Sequence, residues 1–294
     1  MLNVLVTGCN GQLGRHVRLL TSASQHNYQF TDVDTLDITK RDAVMNYVLT
    51  NNINVVINCA AYTNVDKAEE EEDVAEAINA TAVRHLADAM KVNNGTLVHV
   101  STDYVFGGAA YNRPIREDDA MNPTGAYGRT KMHGEEAIFE VGCNYLIFRT
   151  GWLYSEYGKN FLLTMMRLFS EGKACKVVYD QVGTPTYAGD LARVIVDVVE
   201  NEDFQGTNGV FHYSGEGVCS WFDFAKEIAR QTQLTDSRIA PCLSSEYPSR
   251  VVRPPYSVLC KSKIKQTLGV TIPYWVDALS VCLGNINQKQ NEPS

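Results

Sequence analysis

The stretch Met1-Leu2-Asn3-Val4-Leu5-Val6-Thr7-Gly8-Cys9-Asn10-Gly11-Gln12-Leu13-Gly14 decides the fold of this chain. An apolar run enters a glycine turn of the form G-x-x-G-x-x-G and leaves as a helical pattern over residues 12–20. In such a strand–turn–helix unit the first N–H groups of the helix have no partner of their own. Their partial positive charge suits a dinucleotide pyrophosphate. Gly8 and Gly11 let the chain turn tightly and approach a ligand, and Gly14 lets the helix pack close on the strand.

Working outward, apolar runs alternate with helical patterns through the first half of the chain. Runs at 28–31, 55–57, 97–100 and 146–148 read as strands, and 41–50, 68–92 and 126–140 read as helices. Strands that are apolar throughout, rather than at every second residue, are buried on both faces. Strict alternation of strand and helix then predicts an α/β fold, a Rossmann-like doubly wound parallel sheet. After Gly151 the rhythm breaks into helices at 160–170, 191–199 and 220–233, a strand at 210–213, and a loop over 240–255. The expected division is a nucleotide-binding domain over 1–150, with segments near 186–212 returning to it. A smaller C-terminal α/β substrate lobe spans 151–185 and 213–285, and 286–294 form a frayed polar tail.

Composition narrows the function. At about 150 residues per domain, 294 residues make two domains with a full core. A net charge of −8 argues against nucleic acid or an anionic membrane as partner. No signal-peptide pattern opens the sequence and no apolar run is long enough to span a bilayer. The eight cysteines are dispersed, with no C-x-x-C pair. A reduced, cytoplasmic protein is the expectation.

Two further clusters carry chemistry. Asp32 and Asp34 stand where an acid would hold the adenosine ribose, which favours NAD; Arg15 after the third glycine favours NADP. Neither cofactor is excluded. Tyr127 and Lys131 form a Y-x-x-x-K pair at helical i, i+4 spacing, which puts phenol and ammonium on one face. A neighbouring cation favours the phenolate, so the pair suits proton transfer to or from a reacting oxygen. Ser101 or Thr102, at the end of the preceding strand, supplies a hydroxyl for that same oxygen.

Glycine turn, strand-end hydroxyl and Y-x-x-x-K in this order resemble the extended short-chain dehydrogenase/reductases. Five stretches match the branch that reduces dTDP-linked 4-keto sugars: residues 11–14 and 101–106, shared by much of the superfamily, and 58–69, 180–186 and 253–257, specific to the branch. The resemblance implies that Thr102, Tyr127 and Lys131 form the catalytic triad. It implies a cofactor site made by Gly8, Asn10, Gly11, Gln12, Leu13, Gly14, Asp32, Asp37, Ala60, Ala61, Tyr62 and Thr63, with Tyr127 and Lys131. The cofactor is NADPH, with NADH as the other candidate. Val65, Asp103, Tyr104, Trp152, Thr184 and Arg253 would face the sugar nucleotide, Arg253 as a donor to its diphosphate. Trp152 reads equally well as a wall of the site or as a plug between lobes. The implied reaction is reduction of dTDP-4-dehydro-L-rhamnose to dTDP-L-rhamnose, Tyr127 giving the proton.

Other chemistries fit less well. The superfamily's 4,6-dehydratases carry an Asp-Glu pair after the triad threonine; Asp103-Tyr104 stands here, so the eliminating base is missing. A non-catalytic NAD(P)-binding regulatory subunit is the alternative of another class, and the intact triad weighs against it. A different nucleotide-linked keto-sugar is the alternative within the class. Some relatives bind magnesium at a dimer interface through an acid just after the glycine turn; this chain has Arg15-His16 there. No metal is expected, and the resemblance still allows a homodimer.

Overall fold

A computed structural model of the chain describes residues 1–108, 112–234, 238–247, 249 and 251–291. The elements in order are β1 (Asn3–Thr7), α1 (Gln12–Leu20), β2 (Asn27–Phe30), α2 (Arg41–Thr50) and β3 (Val55–Asn58). Then come α3 (Val65–Ala68), α4 (Glu72–Glu76), a π-helical turn (Ala77–Thr81), α5 (Ala82–Val92) and β4 (Thr96–Thr102). A 3-10 turn (Asp103–Phe106), α6 (Ala126–Val141), β5 (Asn144–Thr150), β6 (Leu153–Tyr154), α7 (Phe161–Ser170) and β7 (Cys175–Val178) follow. The remainder is β8 (Val182–Gly183), β9 (Thr186–Tyr187), α8 (Ala188–Glu200), β10 (Gly209–His212), β11 (Cys219–Ser220) and α9 (Trp221–Thr232). Last are β12 (Ile239–Cys242), α10 (Ser262–Leu268) and α11 (Trp275–Asn291).

Six strands make one sheet in the order β2-β1-β3-β4-β5-β10, and every pairing is parallel. The order reverses between β1 and β3, where a doubly wound sheet opens a crevice at the carboxyl ends of its strands. Residues of β1, β3 and β4 are apolar on both faces because both faces are covered. Val4, Val6, Val55 and Ile57 meet α1 and α8 through Val17, Leu191 and Ile195. Leu5, Val56 and Leu97 meet α2 and α5 through Val44, Leu86 and Met90. A third core packs α7, α9 and α11 together around Phe224, Ile228 and Leu279. Its helices start on designed caps: Asn160 Oδ1 accepts from Leu163 N at 3.0 Å, and Ser220 and Asp223 form a reciprocal capping box.

Three sequence readings need correction. The helix expected over 68–92 is broken by a turn at 69–71, and the stretch from Glu72 to Val92 passes through a π-helical turn at Ala77–Thr81 that carries Asn79. Its amide straps the Tyr62 backbone, accepting from Tyr62 N at 2.8 Å and donating to Tyr62 O at 3.0 Å. The loop expected over 240–255 contains the end of β12 and a 3-10 turn, Ser244–Glu246; Pro248 and Arg250 within it lie outside the described residues. The tail expected to fray from 286 instead continues α11 to Asn291, and residues 292–294 lie outside the described residues.

Candidate active site

The glycine turn sits in the β1/β3 crevice. Gly8 has φ +64°, and a Cβ there would lie 2.6 Å from Ala60 N, so no side chain fits between the two strand ends. A Cβ on Gly14 would lie 2.5 Å from Gly8 O, which explains the third glycine. Helix α1 starts at Gly11 with no side-chain cap and no acidic residue in its first turn. Beside it a cavity of about 300 Å³ is lined by Gly8, Gly11, Asp32, Asp37, Ala60 and Ala61 among others. Uncapped helix start, backbone-tight turn and adjoining cavity with two acids fit a dinucleotide. Asn10 N donates to Asp32 Oδ2 at 3.0 Å, and Asp37 is held below the ordinary carboxyl range by the hydroxyl and N–H of Thr39.

Other residues expected at the cofactor have structural duties too. Leu13 packs into the core, so only its backbone faces the turn. Gln12 Oε1 accepts from Ser155 Oγ and Asn160 Nδ2, each at 3.0 Å, which ties the glycine turn to the second lobe. Tyr62 donates its hydroxyl proton to Glu71 at 2.5 Å, while exposed Thr63 ends the segment. Arg15 Nε donates to Asn10 O at 2.9 Å.

At the carboxyl end of β4 the structure separates the two candidate hydroxyls. Ser101 donates to Glu135 at 2.5 Å, whereas Thr102 stands beside Tyr127 and donates to Asp103 Oδ1 at 3.1 Å. Tyr127 lies in α6, its ring edge-on to Tyr104 at 5.4 Å between centroids. Burial pushes its phenol up to about 12, with the Thr102 hydroxyl opposing and the Asp103 charge adding. The spacing predicted a cation that draws Tyr127 toward phenolate; burial outweighs that, and the phenol stays protonated across the neutral range. Lys131 is 2% exposed, and its Nζ donates to Val100 O at 2.7 Å. Burial lowers it to about 8, against the opposing Glu135 charge.

The substrate-side candidates divide. Arg253 pairs through Nη2 with Asp66 Oδ2 at 3.1 Å, and its buried Nε has no partner among the described residues. It lines a cavity of about 640 Å³ with Phe161, Met165, Lys176, Gln181 and Trp221. Arg253 also acts on the buried phenol of Tyr104, linking that cavity to Tyr127. Asp103 is 2% exposed and pushed up to about 6 by burial, with the hydroxyls of Ser257 and Thr102 pulling the other way. Trp152 has φ +52° and stacks on Trp221 at 3.7 Å, so it backs the cavity wall through that partner, within the core of α7, α9 and α11. Val65 opens α3 one residue before Asp66. Thr184 is buried, and its hydroxyl donates to Gly217 O at 2.8 Å, a loop tie. The sequence reading missed Phe161, Lys176 and Trp221, whose only signal is contact across the fold, and took Gln181 only as part of the matching stretch 180–186. It also missed the buried polar residues Asn58, His99 and Glu135. Among the described residues no three His, Cys, Asp or Glu side chains cluster to hold a metal, and no helix is long and apolar enough to cross a membrane.

Parallel sheet, glycine turn and the Thr–Tyr–Lys group define the class of extended short-chain dehydrogenase/reductases. Within that class the chain belongs to the family described as RmlD substrate binding domain, whose model matches residues 2–288. It is 37% identical over 287 residues to a dTDP-4-dehydrorhamnose reductase of Aggregatibacter actinomycetemcomitans, covering 95% of this chain and 97% of the relative. A solved dTDP-4-dehydrorhamnose reductase of Clostridium acetobutylicum is 42% identical, with a TM-score of 0.92 over 97% of this chain and 100% of the other. One from Bacillus anthracis, in complex with NADP, is 35% identical with a TM-score of 0.90, again covering 97% and 100%.

Proposed function

We propose that this protein reduces the 4-keto group of dTDP-4-dehydro-L-rhamnose to dTDP-L-rhamnose, using NADPH. The observation that carries the reading is the position of Tyr127. Its protonated phenol connects through Tyr104 to Arg253 and the larger cavity. On the other side Lys131, one helical turn on, connects through His99 and Asn58 to Ala60 at the glycine turn. A proton donor stands between a dinucleotide site and a sugar-nucleotide site.

Reduced nicotinamide, when bound, supplies the hydride. Tyr127 gives its phenolic proton to the oxygen that becomes the alcohol, and the Thr102 hydroxyl orients that oxygen. Lys131 holds the cofactor ribose. Gly8, Asn10, Gly11, Gln12, Leu13 and Gly14 form the pyrophosphate turn, with Asp32, Asp37, Ala60, Ala61, Tyr62 and Thr63 around the rest of the dinucleotide. Arg253, with its unpaired Nε, takes the substrate diphosphate, and the Trp221–Phe161 wall offers a stacking face for the nucleobase. Val65, Asp103, Tyr104, Trp152 and Thr184 frame the sugar, directly or by holding those that touch it.

The test follows loss of reduced-nicotinamide absorbance with substrate made in situ from dTDP-glucose by a dehydratase and an epimerase. NADPH oxidation that requires both upstream enzymes is expected, and Tyr127→Phe should lower turnover by roughly 10²–10⁴-fold while leaving NADPH binding unchanged. Cofactor binding without oxidation would overturn the assignment.

A further inference from the structure

A line of buried polar groups runs beneath the site, across three adjacent strand ends. Thr7 of β1, Asn58 of β3, His99 of β4 and Lys131 of α6 are each exposed by 2% or less. Thr7 Oγ1 donates to Asn58 Oδ1 at 2.7 Å, and Asn58 Nδ2 lies 3.1 Å from His99 Nδ1. His99 Nε2 lies 3.4 Å from Lys131 Nζ. The direction of this line follows from its one backbone member. Ala60 N–H can only donate, and it reaches Asn58 Oδ1 at 3.2 Å. That fixes the amide with its oxygen toward Ala60 and its NH₂ toward the imidazole. His99 Nδ1 must then accept. Burial, and then the Lys131 charge, hold His99 well below its ordinary range, so the ring is neutral and carries one proton. With Nδ1 accepting, that proton sits on Nε2 and points at the lysine nitrogen. An amine has a lone pair to receive it; an ammonium has none and meets a positive dipole end.

We propose that His99, oriented by Asn58, is a positioning residue for Lys131 that presents an N–H to Nζ and so weakens the ammonium form relative to the amine. The lysine's charge state is thereby tied to the backbone at the glycine turn. Around Nζ, among the described residues, the ionisable groups are His99 from β4 and Glu135 from α6. Glu135 is already taken by Arg149 of β5 at 2.6 Å and by Ser101. Its charge, which opposes burial at Lys131, is thus shared with those two groups and does not restore the ordinary ammonium range.

The inference rests on Lys131 serving the proposed reductase, but its test needs no turnover. Protein labelled with ¹³C at lysine Cε is titrated by NMR, and the Lys131 signal is identified by its loss in Lys131→Arg. A midpoint near pH 8 is expected in the unaltered protein. His99→Asn keeps a group opposite Asn58 but withdraws the donor from Nζ, and should raise the midpoint by about one pH unit or more. His99→Gln, whose amide NH₂ reaches the Nε2 position, should return it toward the unaltered value. Thermal melts confirm that each variant is folded. A midpoint unmoved in His99→Asn would overturn the proposal and leave burial alone as the cause. Absent reductase activity with these shifts present would overturn the functional reading and not this one.

Discussion

At the scale of single residues, Asp103 and Tyr127 show how burial sets the charge at this site. Tyr127 gains: a phenol that keeps its proton to about 12 is ready to donate throughout the neutral range. Asp103 loses, because its carboxyl, pushed up to about 6, must ionise inside the protein at working pH. The sign follows from proton counting. Between pH 4 and 6 the folded state keeps a proton that the unfolded chain, with an ordinary aspartate near 3.9, has released. Stability from this group therefore falls as pH rises through that window, by about 2–3 kcal/mol. Asp103→Asn removes the titration. Urea unfolding at pH 4 should give similar stabilities for the variant and the unaltered protein, and at pH 7.5 the variant should be more stable by about that amount. An equal gap at both pH values would show that Asp103 does not carry the effect. These shifts are not legible in the sequence, since Asp103 and Tyr127 are separated by a long loop and their burial comes from elements on either side of it. The order of Thr102 ahead of Tyr127 and Lys131 is legible, because helical spacing and a strand end are local properties. The choice between Ser101 and Thr102 was not local: alternate residues of a strand face opposite ways, and only the position of Glu135 reveals which way is which.

At the scale of elements, α6 is fastened to β5 by a charge pair with almost no access to water. Arg149 Nη2 and Nε meet Glu135 Oε2 at 2.6 Å and 3.1 Å, and the two side chains are 3% and 0% exposed. Breaking one half of such a pair strands the other charge in a low dielectric, which costs about 3–5 kcal/mol. Arg149→Met should cost that much in urea unfolding. The double variant Arg149→Met with Glu135→Leu should recover most of it, because no buried charge is left over. A double variant as unstable as the single would mean that the pair acts through shape rather than charge. Since Glu135 follows Lys131 by one helical turn, this clamp also fixes the rotation of α6 that presents the lysine to β4. The strands and helices of the first half were readable because each carries its own apolar period. The interrupted segment around Ala77–Thr81 was not, because its break answers to Tyr62, Thr130 and the close pass of α6 at Gly134. A helical period in sequence shows that a face will be buried; it is silent on the partner that pulls one amide out of register.

At the scale of the whole molecule, the chain crosses between the two lobes more often than a boundary near residue 150 suggests. Helix α8 covers the same sheet face as α1, through Leu191, Ile195, Val198 and Val199. Strand β10 extends the sheet beyond β5, and Ile264 and Ile272 from still later in the chain join that core. Gln12 and His16, from the first helix, bond back to Ser155, Asn160 and Glu156. The return of residues 186–212 to the first sheet was expected, whereas the closures made by Ile264, Ile272 and the Gln12–Ser155 bond were not, since their local patterns are ordinary. They lead to a clear expectation for the isolated first half. A fragment of residues 1–151 retains the glycine turn, the triad and five sheet strands, but lacks α8 and the later segments that share with α1 the burial of Val4, Val6, Val55 and Ile57. Each apolar side chain of that face left bare by the loss of α8 costs about 1.5–3 kcal/mol, a large share of the 5–15 kcal/mol by which a domain is ordinarily stable. The β5 edge, stripped of β10, would also be an open template for pairing with other chains. The fragment should therefore lack a cooperative thermal transition, bind a hydrophobic dye and associate in sedimentation, whereas the full chain melts in one step that NADPH raises. A fragment that melts cooperatively and binds NADPH would show that the first half is a domain in its own right, and that α8, β10 and the later segments merely decorate it.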